Sequence, residues 1–288
     1  MSDTGFTRKR LDLTITLGGG QFGDTLNDTV TLSRLRMSAE LINAGGDSMG
    51  KMQLRVFGLD QHMMNRVTQI GYVGNTVRPM NAIQLAAGDD DGMSTVFIGT
   101  IYEAWADYNS APDVAFNVIS HAGGDALARP VDAISFKGVV TAQQIMQGLA
   151  ASMKLQFENN GVDVSLSNPY FPGTALMQVR ACAKSANIYY LVDNGILSIW
   201  NKTGSRAGDT PLISPSTGMV GYPALNSAGM MVNTIFHPDL RPGRLVQVQS
   251  SIPSACGTFT LGSISHSLSS ETPDGPWFTN FQCSHVTI

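Results

Sequence analysis

Residues 221–286 read GYPALNSAGMMVNTIFHPDLRPGRLVQVQSS (221–251), IPSA (252–255) and CGTFTLGSISHSLSSETPDGPWFTNFQCSHV (256–286), and this stretch decides the fold. Proline and glycine divide it into four short runs in which apolar and polar residues alternate, at positions 232–236, 244–249, 258–266 and 277–286. Alternation with a period of two is typical of strands with one buried face. Short strands separated by such turns favour a small antiparallel sheet or barrel.

The turn at residues 237–243 has the sequence HPDLRPG. Pro238 and Pro242 each fix φ at about −65°, and Gly243 can adopt a positive φ that other residues avoid. This combination predicts that the chain reverses before the next strand begins. We therefore predict that Pro238, Pro242 and Gly243 are structural residues of the C-terminal region.

Residues spread over this stretch resemble the C-terminal part of phage baseplate hub proteins, the central tail-tip proteins of phages that include Mu-like ones. That family is related to the hubs of contractile tails and to the N-terminal regions of type VI secretion spikes. The residues that carry the resemblance are Gly221, Tyr222, Pro223, Pro238, Pro242, Gly243, Gly257, His266, Gly275 and Trp277.

The resemblance implies a structural, non-enzymatic part of a phage tail. In the family, two related β-barrels are joined by α/β insertions, and three subunits form a ring of pseudo-sixfold symmetry. For this chain it implies a homotrimer that connects the tail tube protein to the central spike protein and contacts other baseplate proteins. DNA would meet it only in passage through the lumen. The expected location is the virion tail, after assembly in the host cytoplasm.

The N-terminal region is mostly β in character. Asp60 is the expected N-cap of a short helix that ends at Val67. Alternating residues, many of them β-branched, predict strands at positions 11–17, 29–38, 51–57, 81–87 and 94–104.

The middle region mixes helices and strands. Thr141 is the expected cap of a helix over residues 142–153, whose apolar residues recur at helical spacing, and a second helix is predicted over 175–186. Asn194-Gly195 lies between two apolar runs, which predicts a tight β-hairpin turn. The whole chain is therefore predicted to be a β-rich α+β protein. Two small antiparallel β-barrel-like domains, residues 1–110 and 216–288, are joined by a mixed α/β domain at 111–215.

Composition and charge agree with an assembly protein but do not require one. Charged residues make up only 14% of the chain against 43% hydrophobic residues, and interface cores are depleted in charge. A turn-rich β protein explains the abundant small polar residues equally well. The formal net charge of −4 argues against a sequence-wide grip on nucleic acid, which needs basic patches.

No signal peptide or membrane segment is expected, because the N-terminal residues lack an apolar core and no stretch reaches the ~20 apolar residues that cross a bilayer. Cys182, Cys256 and Cys283 are widely separated, so a disulfide framework or a zinc site is poorly supported. The sequence predicts no bound cofactor or metal.

Sequence motifs for catalysis are sparse. The glycine-rich loop at 18–23 lacks the Lys-Ser/Thr of a phosphate-binding loop. The acidic run at 89–91 lacks the spacing of an EF-hand and is interpreted as a solvated hairpin tip. The five histidines form no metal-binding pair. Two alternatives stay open beside the structural hub, a tail-associated cell-wall hydrolase and a carbohydrate-binding tail protein, with Trp277 as a sugar platform in the latter.

Six residues are predicted to serve structure or assembly rather than chemistry. Trp277 is expected to be a core aromatic residue of the C-terminal barrel. The loops at 18–25 and 43–50 are longer than a turn requires, which favours contact with neighbouring subunits or with the tube protein. The full set is Gly19, Gly46, Pro238, Pro242, Gly243 and Trp277.

Overall fold

A computed structural model describes residues 7–22, 27–45, 48–69, 80–109, 111–124, 131–227 and 229–285. Within these residues the protein is a β-rich α+β fold, as the sequence predicts, and a large antiparallel sheet dominates it. The N-terminal elements are β1 Arg10–Thr16, β2 Thr29–Leu32, β3 Met37–Asn43, β4 Lys51–Phe57, α1 Gln61–Val67, β5 Ala82–Gly88, β6 Met93–Asp107 and β7 Ala115–His121.

The prediction of one continuous strand at 29–38 is wrong, because the structure has two strands there, β2 and β3. Arg34 between them has a φ of 59°, a left-handed conformation that no strand accommodates. The two halves also have different partners: β2 pairs with β1, whereas β3 pairs with β4. Elsewhere alternation translates directly into burial, as in β1, where every second residue is buried.

The middle region contains two helices packed beside a three-stranded sheet. The predicted cap at Thr141 is confirmed, because Thr141 and Gln144 form a capping box. The second helix is capped by Thr174, whose side chain accepts from the backbone N–H of Met177. The elements of the middle region are β8 Ile134–Ser135, β9 Val139–Thr141, α2 Ala142–Ser152, β10 Gln156–Asn160, β11 Ser165–Ser167, β12 Tyr170–Phe171, α3 Ala175–Ala186, β13 Ile188–Asp193 and β14 Ile196–Asn201.

The C-terminal strands extend the same sheet that the N-terminal strands begin. The C-terminal elements are β15 Leu212–Ile213, β16 Met219–Asn226, β17 Gly229–Ile235, β18 Leu245–Val248, a 3-10 turn at Pro253–Ala255, β19 Gly257–Ser270 and β20 Trp277–His285. Strand β16, which contains the Gly221-Tyr222-Pro223 motif, was not among the strands expected from alternation. Two residues explain this: Gly221 and Pro223 interrupt the pattern, and the pairing of β16 with β17 is irregular there.

The order of strands in the main sheet is β16-β17-β20-β19-β3-β4-β7-β6-β5-β1-β2, with β18 and β15 branching from β19. The two ends of the chain meet where β3 pairs with β19, from Asn43 opposite Ile264 to Met37 opposite Ser270. Across the described residues this strand order ends at β2 and β16, which are free edges. The described strand pairs therefore do not close the sheet into either of the two predicted barrels.

The buried apolar residues form three clusters that follow the three regions of the chain. The first cluster lies among the N-terminal strands, the second between the helices and the small sheet, and the third among β16–β20. Two C-terminal residues, Leu268 and Trp277, belong to the first cluster. The division of the chain into three domains stays a prediction.

Candidate assembly site at the junction of the three regions

The turn between β17 and β18 is the place where all three regions meet. Arg241 Nη1 donates to Asp193 Oδ2 at 2.8 Å, and Nη2 donates to the carbonyl oxygen of Thr95 at 3.3 Å. Asp193 ends β13 in the middle region, whereas Thr95 belongs to β6 in the N-terminal region. One arginine side chain therefore joins the C-terminal turn to both other regions.

The tip of the β13–β14 hairpin completes this junction. Asn194 and Gly195 have φ of 47° and 77°, the two positive values of the tight turn that the sequence predicted. Asn194 Nδ2 donates to the carbonyl oxygen of Thr95 at 3.1 Å, and Asn43 Nδ2 donates to Asp193 Oδ1 at 3.4 Å. The hairpin tip is thus held between an N-terminal strand and the C-terminal turn.

Gly243 occupies a position that only glycine fills without strain. Its φ is 82°, and a Cβ built there would lie 2.7 Å from Cζ2 of Trp200 and 2.9 Å from Cδ of Arg206. Its backbone is paired on both sides: its N–H donates to the Leu261 carbonyl oxygen, and its own carbonyl oxygen accepts from the N–H of Arg206, each at 2.7 Å. The turn is therefore packed tightly against the middle region.

A buried arginine makes the second link between these regions. Arg206 is 4% exposed; Nη2 donates to Glu158 Oε2 and Nη1 to the Pro242 carbonyl oxygen, each at 3.3 Å. Burial alone would raise the pKa of Glu158. Hydrogen bonds from Arg206, Asn160 and Ser198, together with the charge of Arg206, hold that pKa below its ordinary value. Arg206 lies in a Gly- and Pro-rich stretch at residues 202–215, where nothing in the sequence marks one cation as buried.

His266, part of the hub-like motif, is a structural histidine of the same junction. Its Nδ1 lies 2.9 Å from Oγ1 of Thr279, and its ring packs edge-on against Phe236. Desolvation by burial, and then the charges of Arg241 and His237, lower its pKa to about 4. The imidazole is therefore neutral near pH 7.

The structure brings four of the six predicted residues to the junction or close to it. Pro238 and Pro242 line one small cavity there with Arg241 and His266, and Gly243 follows directly. Trp277 is 6% exposed, and its ring lies 5.2 Å from that of Phe236, which follows β17 and precedes the turn. Because Trp277 packs into the first cluster, it connects C-terminal strands to the N-terminal core.

The remaining two predicted residues, Gly19 and Gly46, are not among the residues of the junction. Gly19 is exposed in the loop after β1, and a Cβ there would meet no atom within 4 Å. Gly46 lies outside the described residues, as do positions 23–25 and 47 of the two predicted contact loops. Of the first loop, Gly18 donates its backbone N–H to Asn81 Oδ1 and Phe22 donates to the Asn27 carbonyl oxygen, both at 3.0 Å.

One face of the C-terminal strands is exposed, uncharged and rich in large apolar side chains. Strands β16, β17 and β20 contain no Asp, Glu, Lys or Arg. In the described part of the chain β16 pairs only with β17, which leaves it as a sheet edge. The exposed large side chains on these strands are Val220, Tyr222, Leu225, Met231, Ile235 and Phe278, with 42% to 75% of their surface accessible. Leu225 pairs with the buried Met230 and lies on the other face, whereas strand pairing places Val220, Met231, Ile235 and Phe278 on one face, interspersed with Asn233 and Asn280. We call this surface the apolar face.

The described residues offer little that is recognisable as catalytic chemistry. They contain no group of three His, Cys, Asp or Glu side chains placed to hold a metal ion. None of the helices in those same segments combines the length and the apolar character that crossing a bilayer requires. Of the cysteines, Cys182 and Cys283 are buried, and burial raises the pKa of each thiol to about 12.

Comparison with known proteins places the chain in a family. Residues 10–283 match the family model described as baseplate hub gp41, so the chain belongs to the baseplate hub family, a structural family of the phage tail. A search of curated proteins found no match. The protein is accordingly a structural component of a phage tail baseplate, and the resemblance noted in the sequence is confirmed.

Solved structures support the same fold at low sequence identity. A tail protein from Neisseria meningitidis MC58 aligns with a TM-score of 0.64 and 9% identity, over 96% of this chain and 98% of that one. The 43 kDa tail protein of prophage MuSo2 from Shewanella oneidensis gives 0.60 and 11%, over 95% and 96%. The E. coli c3393 protein, a type VI secretion component, gives 0.61 and 11%, over 94% and 76%.

Proposed function

We propose that this baseplate hub chain assembles as a closed ring, most simply a homotrimer, that connects the tail tube protein to the central spike protein. DNA passes through its lumen during genome ejection. The chain acts without catalysis or a bound cofactor, contacts other baseplate proteins, and assembles in the host cytoplasm before it becomes part of the virion tail.

The apolar face is the observation that carries this proposal. Large apolar side chains exposed together and without nearby charge are typical of surfaces that another protein covers. One of its strands, β16, is a sheet edge among the described residues, and such edges pair readily with further strands. In the described segments, β2 on the N-terminal side forms the other end of the strand order. Different edges at the two ends of one sheet permit heterologous contacts, which generate rings when the rotation closes.

Two matched substitutions test whether the apolar face is an assembly surface. Ile235 and Val139 are both exposed β-branched residues on strands, at 52% and 75% accessibility, and only Ile235 belongs to the face. Ile235→Lys and Val139→Lys should both fold with unchanged melting temperature. We expect Ile235→Lys to abolish incorporation into purified tails, whereas Val139→Lys is incorporated normally. Equal incorporation of both variants would contradict the proposal.

The loops at residues 18–25 and 43–50 are proposed to contact neighbouring subunits or the tube protein. Amide hydrogen exchange on the isolated chain and on assembled tails tests this. Protection that appears in both loops only after assembly supports the contact, because exchange slows when backbone groups become buried or paired. Fast and equal exchange in both states would identify them as solvent-exposed loops without a partner.

A further inference from the structure

We propose that a cationic cavity at the junction of one subunit receives the acidic hairpin tip Asp89–Asp91 of a second copy of this chain. The inference deepens the proposed ring and rests on it, since it specifies one contact between neighbouring subunits. It uses a cavity and a charged loop that the junction described above leaves unexplained.

The cavity, which we call the Lys202 cavity, has a volume of about 260 Å³ and opens to solvent. Residues of all three regions line it, among them Gly45, Tyr189, Lys202, Gly243 and His285. Lys202 and His285 are exposed at this site, and Lys202 Nζ lies 5.8 Å from the centre of the Tyr189 ring. Among the residues that the structure describes, the lining contains no Asp or Glu, and its charged member is the Lys202 ammonium.

Two glycines of the lining, Gly45 and Gly262, lie in close backbone contact. A Cβ at Gly45 would lie 2.8 Å from the carbonyl oxygen of Gly262, and Gly262 itself sits where the pairing of β19 with β20 is interrupted. A bulge of this kind leaves peptide groups outside the ladder. A carboxylate that enters the cavity would therefore meet the Lys202 ammonium, with hydroxyl groups from Thr203 and Ser284 also in the lining.

The acidic tip supplies the complementary charge. It joins β5 to β6 and presents three consecutive aspartates, of which Asp90 is 69% exposed in its side chain. Arg10 approaches Asp90 at 3.5 Å, and Asp89 accepts from Thr7 and from the backbone N–H of Asp91. With one arginine beside three carboxylates, the tip keeps a net negative charge, and opposite charges across an interface fix register and suppress wrong partners.

The strand ladders place the tip and the cavity toward the same end of the sheet. Pairing connects Ala82 through Thr100, His121, Lys51, Ile42 and Ser265 to Asn280 in one row across the sheet. Gly88 lies six residues from this row along β5, and His285 lies five residues from it along β20, on the same side. The register of the ladders is therefore compatible with a contact between the tip of one copy and the cavity of the next.

Carbodiimide cross-linking of purified tails tests the contact directly, because this reagent joins a lysine amine to a carboxylate only where they touch. We expect an amide between Lys202 and Asp90 or Asp91 in tails and none in the dilute isolated chain. Lys137, which is exposed outside the cavity, is the internal reference for how readily an exposed lysine is cross-linked. The double substitution Asp90→Asn, Asp91→Asn should lower the yield of the Lys202 link at least about tenfold, whereas Asp163→Asn, at another exposed aspartate, should leave it unchanged.

The outcomes separate this inference from the proposed ring. A ring in images of the same tails with Lys202 unlinked, or linked to a carboxylate of a different protein, overturns the inference and leaves the ring standing. Tails without a ring of this chain overturn both.

Discussion

Arg241 Nη1 lies 2.8 Å from Asp193 Oδ2, and this ion pair joins the C-terminal turn to the tip of the middle hairpin. Both side chains are largely shielded, at 22% and 14% exposure, and the same guanidinium also bonds the Thr95 carbonyl oxygen. Its two contacts span 48 and 146 residues of the sequence, and they help to fix how three separately packed clusters lie together.

Arg241→Ala should lower the free energy of unfolding by about 2 kcal/mol, because it removes the charged partner of a largely buried aspartate and one of the two donors to the Thr95 carbonyl oxygen. Denaturant unfolding measures this. Arg8→Ala is the matched control, since the Arg8–Glu271 pair has a 57% exposed arginine and exposed pairs contribute little. Similar effects of the two substitutions would show that the junction is not a stabilising contact.

Gly243→Ala should destabilise the chain by roughly 3 kcal/mol, from a strained positive φ and from overlap with the Trp200 ring. Gly138→Ala separates the two causes: Gly138 has a φ of 97° and no atom within 4 Å of a built Cβ. It should cost only about 1 kcal/mol. Equal melting temperatures for the two variants would mean that Gly243 is not tightly packed.

Trp277→Ala should cost roughly 3–5 kcal/mol, because it removes a buried ring from the first core cluster. Trp105, 40% exposed on β6, is the matched control, and its replacement by Ala should change stability by less than about 1 kcal/mol. Thermal unfolding of both variants provides the comparison. An unchanged melting temperature for Trp277→Ala would contradict its placement in the core.

His266 makes the stability of the chain depend on pH in the acid range. Its pKa is about 4 in the folded chain against an ordinary 6.5, so the unfolded chain binds the proton more readily. Its contribution is fully present above pH 6.5 and is lost as the pH falls from 6.5 toward 4, by about 3 kcal/mol. His121 and His237, whose pKa values burial also lowers, act in the same direction, and Glu158 adds a loss only below about pH 4.5.

Denaturant unfolding between pH 7 and pH 4 measures this effect. His266→Gln should flatten the pH dependence relative to the natural chain, whereas His62→Gln, on the exposed side of α1, should leave it unchanged. An equal free energy of unfolding of the natural chain at pH 7 and pH 4.5 would show that burial does not hold His266 in its neutral form.

Local signals in the sequence were sufficient to predict individual helices, strands and turns, but they did not predict how these elements are arranged. The caps at Thr141 and Asp60 and the Asn194-Gly195 turn depend on neighbouring residues, and the structure confirms each. The pairing of β3 with β19 joins residues more than 200 positions apart, and alternation carries no information about which strands pair. For the same reason the sequence indicated that Trp277 is a core residue but assigned it to the C-terminal core.

The junction itself was visible only in part. Pro238, Pro242 and Gly243 are evident from turn chemistry, since their types restrict or permit particular backbone angles. Arg241, Arg206 and Asp193 are not, because exposed and buried charges look alike in a sequence. Their roles follow from the partners that the fold brings to them.

The most direct test of the central claim is an electron cryomicroscopy reconstruction of purified tails, in which the copy number and contacts of this chain are read from the density. The account predicts three copies around the tail axis, between the tube and the spike, with Met231, Ile235 and Phe278 of the apolar face buried against neighbouring protein. A single copy per tail, or three copies whose apolar faces remain in solvent, would contradict it.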